Sequence, residues 1–444
     1  MSWWGDVPVL DGVDVLVVGS GAAGSAAAIS AGRSGARTAL VEKLPFLGGN
    51  STAVLDTFYG FYTPGATPHK IVGGVGEDVV NRLRSFGPVV ERPNTYGAGT
   101  GVTYNADHLK VAWEALAAEA GVGVYLHAFV QDVVVKDGRL EEILLATKAG
   151  LHRIRTAVVI DASGDADVTA FAGWGFEQAG AEQPAQTLTT TFRLVNVDLT
   201  SRGTISKDRL HELMREANED GYDLPRREGS DHITPVAGMT ATVMTRIDSV
   251  ERSGTGDLTT VSDPVFLSRA EQAGRRQALE YVRFLVDRVP GYAHASLAGL
   301  STQIGVRETR RVYGDYRLTK DDVLSARSFD DQIGLCGAPI EDHHGGDGTV
   351  WEYLPSGTAV GIPLRSLIVR DAANALIAGR CFSATHDAHA SVRSMAQCMA
   401  MGQAAGTTAA LAVARNQDPR DVPVGLVQEK LRANNAILEV PDPS

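Results

Sequence analysis

Cysteine is nearly missing from this chain: Cys336, Cys381 and Cys398 are the whole set in 444 residues. Three thiols cannot build a dense disulfide framework, so a reducing, cytoplasmic setting with buried thiols is expected. A surplus of positive charge is missing too. Lys and Arg total 41 against 53 Asp and Glu, a net charge of -12. Duplex binding needs a basic surface that displaces counterions, so nucleic acid is not an expected partner. No apolar run approaches the roughly 20 residues of a membrane span. The start, Met1-Ser2-Trp3-Trp4-Gly5-Asp6, lacks the basic region and apolar core of a signal peptide. Internal repeats and low-complexity linkers are absent as well. What remains is 44% hydrophobic and 21% charged, material for a large globular core. The length prior is about three domains of roughly 150 residues.

Glycine is the opposite case, with 48 residues. The apolar, β-branched run Val13–Val18 ends in Gly19-Ser20-Gly21-Ala22-Ala23-Gly24, a G-x-G-x-x-G. A small-residue helix is expected from Ser25 to Ser34, then a second strand, Thr38-Ala39-Leu40-Val41, closed by Glu42. That order is the βαβ unit that grips a dinucleotide. Gly19 permits the tight turn, Gly21 lets backbone approach the pyrophosphate, and Gly24 lets helix and strand pack closely. The helix N-terminus offers free N–H groups and about half a positive charge to the phosphates. Glu42, 18 residues beyond Gly24, is placed to hold a ribose diol.

Farther along, residues 54–100 are mixed, with 59–65 loop-like, and Gly76 to Phe86 reads as a helix. Leu109, Val111, Ala112, Leu116 and Ala120 have helical spacing, with Asn105 or Asp107 as cap. Strand-like runs follow at 122–126, 129–136 and 139–146, the last two turning at Lys136-Asp137-Gly138. Thr156–Ile160 is a further strand, ending at Asp161-Ala162-Ser163-Gly164-Asp165. Residues 176–354 are more polar and less regular, with strands expected at 187–197 and 239–246, helices at 206–220 and 263–287, and a loop at 337–348. Short strands are expected at 367–369 and 375–378 and a long Ala-rich helix from Val392 to Ala414. The tail after Asp418 is polar and rich in proline. The expected organisation is a dinucleotide domain built from 1–175 and 355–444, with a substrate domain, 176–354, inserted; residues 54–100 are placed to face the substrate domain.

NAD, NADP and FAD all fit the fingerprint alone. Glu42 disfavours NADP, because a carboxylate beside a 2′-phosphate costs about 1 kcal/mol in water and about 4 at an effective dielectric near 20. A hairpin crossing after the third strand, the small residues 162–164 and a Gly379-Arg380 turn before the last long helix favour FAD. A cofactor touched from positions 19, 42, 164, 379 and 403 is long and extended.

These residues carry a resemblance. The chain resembles FAD-dependent oxidoreductases of the glutathione-reductase-like flavoprotein class. In particular it is similar to a bacterial family with a G-G-N-x-T loop, a D-A-[ST]-G-D segment and a terminal block. That block reads here Gly379-Arg380-Cys381-Phe382-Ser383-Ala384-Thr385-His386, then Arg393, then Met399-Ala400-Met401-Gly402-Gln403-Ala404-Ala405-Gly406. The match covers roughly 12–175 and 300–412. It implies an α/β fold, a Rossmann-like (GR2-type) FAD-binding domain with an inserted α+β substrate domain, and non-covalent FAD. The implied contacts are Gly19–Gly24, Glu42 and Lys43, Gly48-Gly49-Asn50-Ser51-Thr52, Val130, Ala162-Ser163-Gly164, Gly379-Arg380 and Gly402-Gln403-Ala404-Ala405. In similar flavoproteins a helix N-terminus stabilises charge on the reduced flavin, the role expected near Gly402–Gly406. Disulfide reductases of this fold begin a C-x-x-x-x-C pair near the Gly48-Gly49 loop. No cysteine precedes Cys336, so that chemistry is excluded.

His386 is the expected general base, because imidazole takes a proton near neutral pH while hydride leaves to flavin N5. His389 is a weaker candidate. His343-His344 reads as a mobile substrate loop or a metal site, though the doublet lacks helical spacing and a committed third ligand, and a solvated loop is the favoured reading. If 305–314 is a strand, Arg307 and Arg311 share one face and Arg310 the other, and one face clamps a carboxylate substrate. Arg393 is the second such cation; ion pairs are the alternative for each Arg. The expected function is an FAD-dependent oxidoreductase that oxidises a small organic substrate by hydride transfer to N5, with reoxidation by oxygen, a quinone or a partner protein. Reduction of an activated alkene, and a non-redox protein with structural FAD, stay open alternatives. An NAD dehydrogenase is a third. Self-association into a homo-oligomer is left open.

Overall fold

The computed structural model describes residues 6–65, 68–94, 96–344 and 348–440. The residues of the expected leaderless start, Met1–Gly5, part of the 337–348 loop, Gly345–Asp347, and the last four of the tail lie outside them. Strand β1 (Val9–Val18) buries its apolar run at the centre of a seven-stranded sheet. On one side it pairs in parallel with β2 (Thr38–Val41), Val15 opposite Thr38 and Val18 opposite Val41. On the other it pairs in parallel with the strand Gly150–Asp161. Gly123–Tyr125 extends the β2 edge in parallel, and Ala375–Ile377 adds beside Val159–Asp161. The antiparallel hairpin of Phe129–Lys136 and Arg139–Thr147 completes the sheet. Its turn holds Asp137 at φ 51 and Gly138 at φ 73, the left-handed pair that a tight hairpin requires. This is a mixed α/β architecture with a Rossmann-like parallel core.

Helix α1 (Ala22–Arg33) follows β1 and is almost wholly buried. It lies against the helix Met395–Arg415, whose Gly402 and Gly406 touch α1 backbone. A Cβ on Gly402 would stand 2.0 Å from the Ala23 carbonyl oxygen, and one on Gly406 2.1 Å from that of Ala27. Small residues thus let two helices meet backbone to backbone. The long helix expected from Val392 to Ala414 runs Met395–Arg415, and a separate short helix, His386–Val392, precedes it, with Arg393 and Ser394 at the joint. The joint frees the Arg393 side chain from the helix surface. The expected strand at 367–369 is only a pair of isolated bridges, Ile368 to Leu376 and Val369 to Gly314. The helix expected at 105–120 runs Ala106–Glu119, capped by Asn105 accepting from the Asp107 and His108 amides.

A second core holds Phe192, Leu194, Met214, Met244, Tyr281 and Phe284. It sits between a four-stranded antiparallel sheet, ordered Ser230–Ile233, Thr240–Val243, Phe192–Val195, Ser296–Leu300, and the helices Lys207–Glu219 and Pro264–Arg288. The chain enters and leaves this unit through paired strands, Phe176 opposite Val312 and Gln178 opposite Arg310. Residues after this pair return to the first core: Leu318, Leu335, Val360 and Ile362 pack with α1 and the long helix. The expected cut at 354 therefore falls between two paired strands, Gln332–Cys336 and Val360–Pro363. The three thiols are free and buried. Among the described residues no helix is long and apolar enough to cross a membrane.

Candidate functional site

The end of β1 and the start of α1 open into a cavity of about 390 Å³. Gly19 turns the chain at φ 89, and a Cβ there would stand 2.5 Å from the Ala162 carbonyl oxygen. Gly24 faces that turn, with the Gly19 oxygen 1.8 Å from the place of its missing Cβ. Gly21 differs from both: nothing lies within 4 Å of a Cβ built on it, and it lines the cavity with Ser20, Ala22 and Ala23. The α1 N-terminus has no side-chain cap and no acid in its first turn. Its free N–H groups are therefore left for an anion in the cavity.

Glu42 ends β2 on the same wall, buried at 5% exposure. One carboxylate oxygen accepts from the Ser20 amide at 2.8 Å and the Ser20 hydroxyl at 2.6 Å, the other from the Leu44 amide at 2.8 Å. Backbone thus aims the acid beside the Gly-rich turn, where a ribose diol would meet it. Lys43 and Val130 line the same end. The Gly48 amide donates to Ser20 oxygen at 2.8 Å, and Gly49, at φ 53, approaches Gly21. Asn50 and Ser51 reach the cavity, whereas Thr52 turns away and donates to Leu47 oxygen at 2.8 Å.

Asp161 ends the third parallel strand and is spent on structure. Its oxygens accept from Ser163 and Thr169 and tie down the loop that brings Ala162, Ser163 and Gly164 to the wall. Gly379 and Arg380 close this side, and Arg380 donates to Asp165 at 2.8 Å and Thr309 at 3.2 Å. Burial raises the Asp165 carboxyl, but the Arg380 and Lys43 charges outweigh it and hold it below its usual range. The neighbouring Asp167 goes the other way, pushed up to about 6 by burial and by Asp165 and Asp161.

The cavity continues to Thr189, Arg307, Arg393 and Met395. Arg307 donates through one nitrogen to Thr187 oxygen at 2.7 Å and Thr189 hydroxyl at 2.6 Å. Arg393 donates to Glu341 oxygen at 3.3 Å, and its Nε has no protein partner. Neither guanidinium forms an ion pair among the described residues. Burial and the Arg393 charge depress Arg307, and burial likewise depresses Arg393. Burial raises the nearby Glu341, but His343, Arg393 and Arg307 overcome it and hold the carboxyl down to about 2.

Several expected site residues lie elsewhere. Gly402, Gln403, Ala404 and Ala405 are absent from the cavity wall because their helix face is consumed by α1 and its neighbours. Gln403 accepts from the Val75 amide at 3.1 Å and donates to Asn434 oxygen at 3.3 Å. His386 is also absent from the wall. Its Nδ1 lies 3.0 Å from Glu308 and its Nε2 3.2 Å from Asp342, behind the cavity. Thr385 caps that helix, which fixes His386 in the first turn facing those acids. His389 is buried too, with Nε2 on Arg380 oxygen at 2.7 Å.

Arg307 and Arg311 do not share a face, because the strand is only Arg310–Val312. Arg311 is buried against Glu308 and Glu177, and Arg310 donates to Asp165 oxygen at 2.8 Å. His343 is buried rather than loose: burial and Arg307 push it down to about 3, and it donates to Glu341 at 2.9 Å. Thr189, Glu308 and Asp342 went unremarked in the sequence. Glu308 had a visible signal, one carboxylate among Arg307, Arg310 and Arg311; Thr189 had none.

Among known proteins, a digeranylgeranylglycerophospholipid reductase from Thermoplasma volcanium is 29% identical over 163 residues, 34% of this chain and 39% of that protein. A fumarate reductase (cytochrome) from Shewanella frigidimarina is 63% identical over 41 residues, 9% of this chain and 7% of that one. The chain thus spans well under half the length of these curated relatives. A solved geranylgeranyl bacteriochlorophyll reductase-like protein from Thermoplasma acidophilum is 14% identical with a TM-score of 0.47, covering 96% of this chain and 84% of its own. The family model for FAD dependent oxidoreductases matches residues 14–431. The Gly-rich turn, the uncapped helix end and the aimed Glu42 fit that cofactor, and the chain belongs to the FAD dependent oxidoreductase family, an enzyme with FAD as its cofactor.

Proposed function

We propose that this oxidoreductase binds a small organic anion, a carboxylate or similar oxyanion, through Arg307 and Arg393 and takes hydride from it. The observation that carries the reading is two guanidiniums on one cavity wall, neither in an ion pair among the described residues, with the Glu341 carboxylate as the compensating charge near both. Each is depressed by burial, and Arg307 also by its neighbour. An anion between them relieves that repulsion and gains charge-assisted hydrogen bonds of about 1.5–3 kcal/mol each. The Thr187 carbonyl and Thr189 hydroxyl hold one nitrogen of the Arg307 fork and leave the rest for the ligand. Val54, Leu55 and Met395 line the cavity with apolar surface, which excludes water and strengthens those contacts. FAD, when bound, supplies the two-electron acceptor of the hydride.

The FAD-binding half is read as the GR2 type of the glutathione-reductase-like class. Glu42, the Gly48-Gly49 loop and the return of Gly379-Arg380 to the β1 turn support this. The substrate insert is read as 176–312, bounded by the Phe176–Gln178 and Arg310–Val312 pair. It contributes Thr189 and Arg307 to the wall.

The reverse direction, hydride delivered to an alkene conjugated with the anion, is favoured by the two curated relatives, both reductases by name. One experiment tests both directions. The yellow protein is mixed without oxygen with 2-hydroxy acids and with their neutral amides. Dithionite-reduced protein is mixed likewise with 2-enoic acids and 2-enamides. The expected result is a change in flavin absorbance with acids only, in one of the two arms. Equal response to acids and amides overturns the anionic reading.

A further inference from the structure

Behind the cavity wall, Asp342 is 7% exposed and has no Arg or Lys partner among the described residues. Its neighbours are two imidazoles and an amide. Gln186 Nε2 donates to Oδ1 at 2.8 Å, His386 Nε2 lies 3.2 Å from Oδ1, and His344 Nδ1 lies 2.5 Å from Oδ2. The other nitrogen of His386, Nδ1, stands 3.0 and 3.1 Å from the two oxygens of Glu308, itself fully buried on Arg311. A carboxylate there accepts a hydrogen bond from Nδ1–H. In the neutral ring, Nε2 then carries a lone pair, and it faces the lone pairs of Asp342. The Gln186 amide, 3.4 Å from His386 Nε2 and 2.8 Å from Asp342 Oδ1, offers this pair of acceptors one donor; a cation would hold them together at 3.2 Å more strongly than that shared N–H.

We propose that Asp342, His344 and His386 bind a divalent cation of the zinc type. Their ligand atoms lie within 4.8 Å of one another, and ligands on a tetrahedral zinc with bonds near 2.0–2.1 Å stand roughly 3.3 Å apart. Glu308 supplies the carboxylate behind a metal-binding histidine that fixes ring and tautomer, and Gln186 does the same for Asp342. The three ligands come from the end of one strand (Ile340–Asp342), the residues just after it, and the first turn of the His386–Val392 helix. The ion ties that strand to the helix whose far end places Arg393. Three protein ligands leave one position for water on the side of His344, whose side chain is 41% exposed.

The test uses the FAD-loaded protein, stripped with chelator and dialysed against Zn²⁺ alone, with bound metal counted by mass spectrometry and melting followed in parallel. His344→Ala is the informative variant, since an exposed side chain is removed without opening the core. The cysteines are buried and do not compete. The expected result is one zinc per chain with a rise in Tm, both lost in His344→Ala and kept in His152→Ala. Uptake well below one equivalent by the unaltered protein, or unchanged uptake by His344→Ala, overturns the site.

Discussion

Gly402 rests on Ala23: a Cβ built on Gly402 would stand 2.0 Å from the Ala23 carbonyl oxygen. Backbone cannot yield there as a flexible side chain would. Gly402→Ala is expected to push α1 and the long helix apart, at about 1–3 kcal/mol for overpacking. That exceeds the roughly 1 kcal/mol that Ala gains over Gly inside a helix. Thermal melting should show a Tm several degrees lower. Gly425→Ala, on an open helix face with nothing within 4 Å, should leave Tm unchanged or raise it. An unaltered Tm in Gly402→Ala contradicts the packing role.

Glu42 connects β2 to the Ser20 turn and faces the cavity. Glu42→Gln keeps an acceptor for Ser20 but removes the charge that a ribose diol would bond. FAD affinity should fall at least about tenfold, the lower end of losing one charge-assisted bond, and the flavin-free protein should melt somewhat lower, because the amide NH2 then faces the Leu44 N–H that the carboxylate had accepted. The ratio of flavin to protein absorbance after gel filtration measures it. Full retention of FAD would remove Glu42 from the cofactor site.

Asp167 sets a pH dependence. Its carboxyl is pushed up to about 6 by burial and by Asp165 and Asp161, so the folded state holds the proton more tightly than the unfolded chain does. Stability therefore falls as pH rises from the ordinary carboxylate range through about 6, and the full cost is present above that. Its side chain is 37% exposed, so solvent screening limits the cost to about 1 kcal/mol. Asp167→Asn should raise Tm at pH 7.5 and leave it nearly unchanged at pH 4. A Tm gain of the same size at both values would point to a cause other than ionisation.

The FAD half was legible because its chemistry demands local pattern. Gly19, Gly21 and Gly24 serve the three steric purposes that their spacing announces, and Glu42 closes the second strand beside them. Gly402 and Gly406 pack against helix backbone, which sequence alone does not reveal, because close approach to a cofactor and close approach to a helix both require a missing Cβ. Only the partner, the α1 backbone, distinguishes them. His386 likewise stands off the cavity wall. Position after the Gly379-Arg380 turn put it near the cofactor in sequence, but Thr385 capping and Glu308 direct the ring away. Arg307 reaches the cavity because its strand begins only at Arg310, a boundary that alternating charge does not reveal.

In the proposed function, Arg307 and Arg393 form the anion-binding end of the cavity. The most direct measurement of this is a titration of the FAD-loaded protein with a small carboxylate such as acetate, malonate or fumarate, followed by the flavin absorbance spectrum. Saturable perturbation by at least one carboxylate is expected, weakened by roughly 10–100-fold in Arg307→Gln and again in Arg393→Gln, as loss of one charged hydrogen bond each implies, with FAD content unchanged. Equal carboxylate affinity in both variants and the unaltered protein would contradict it.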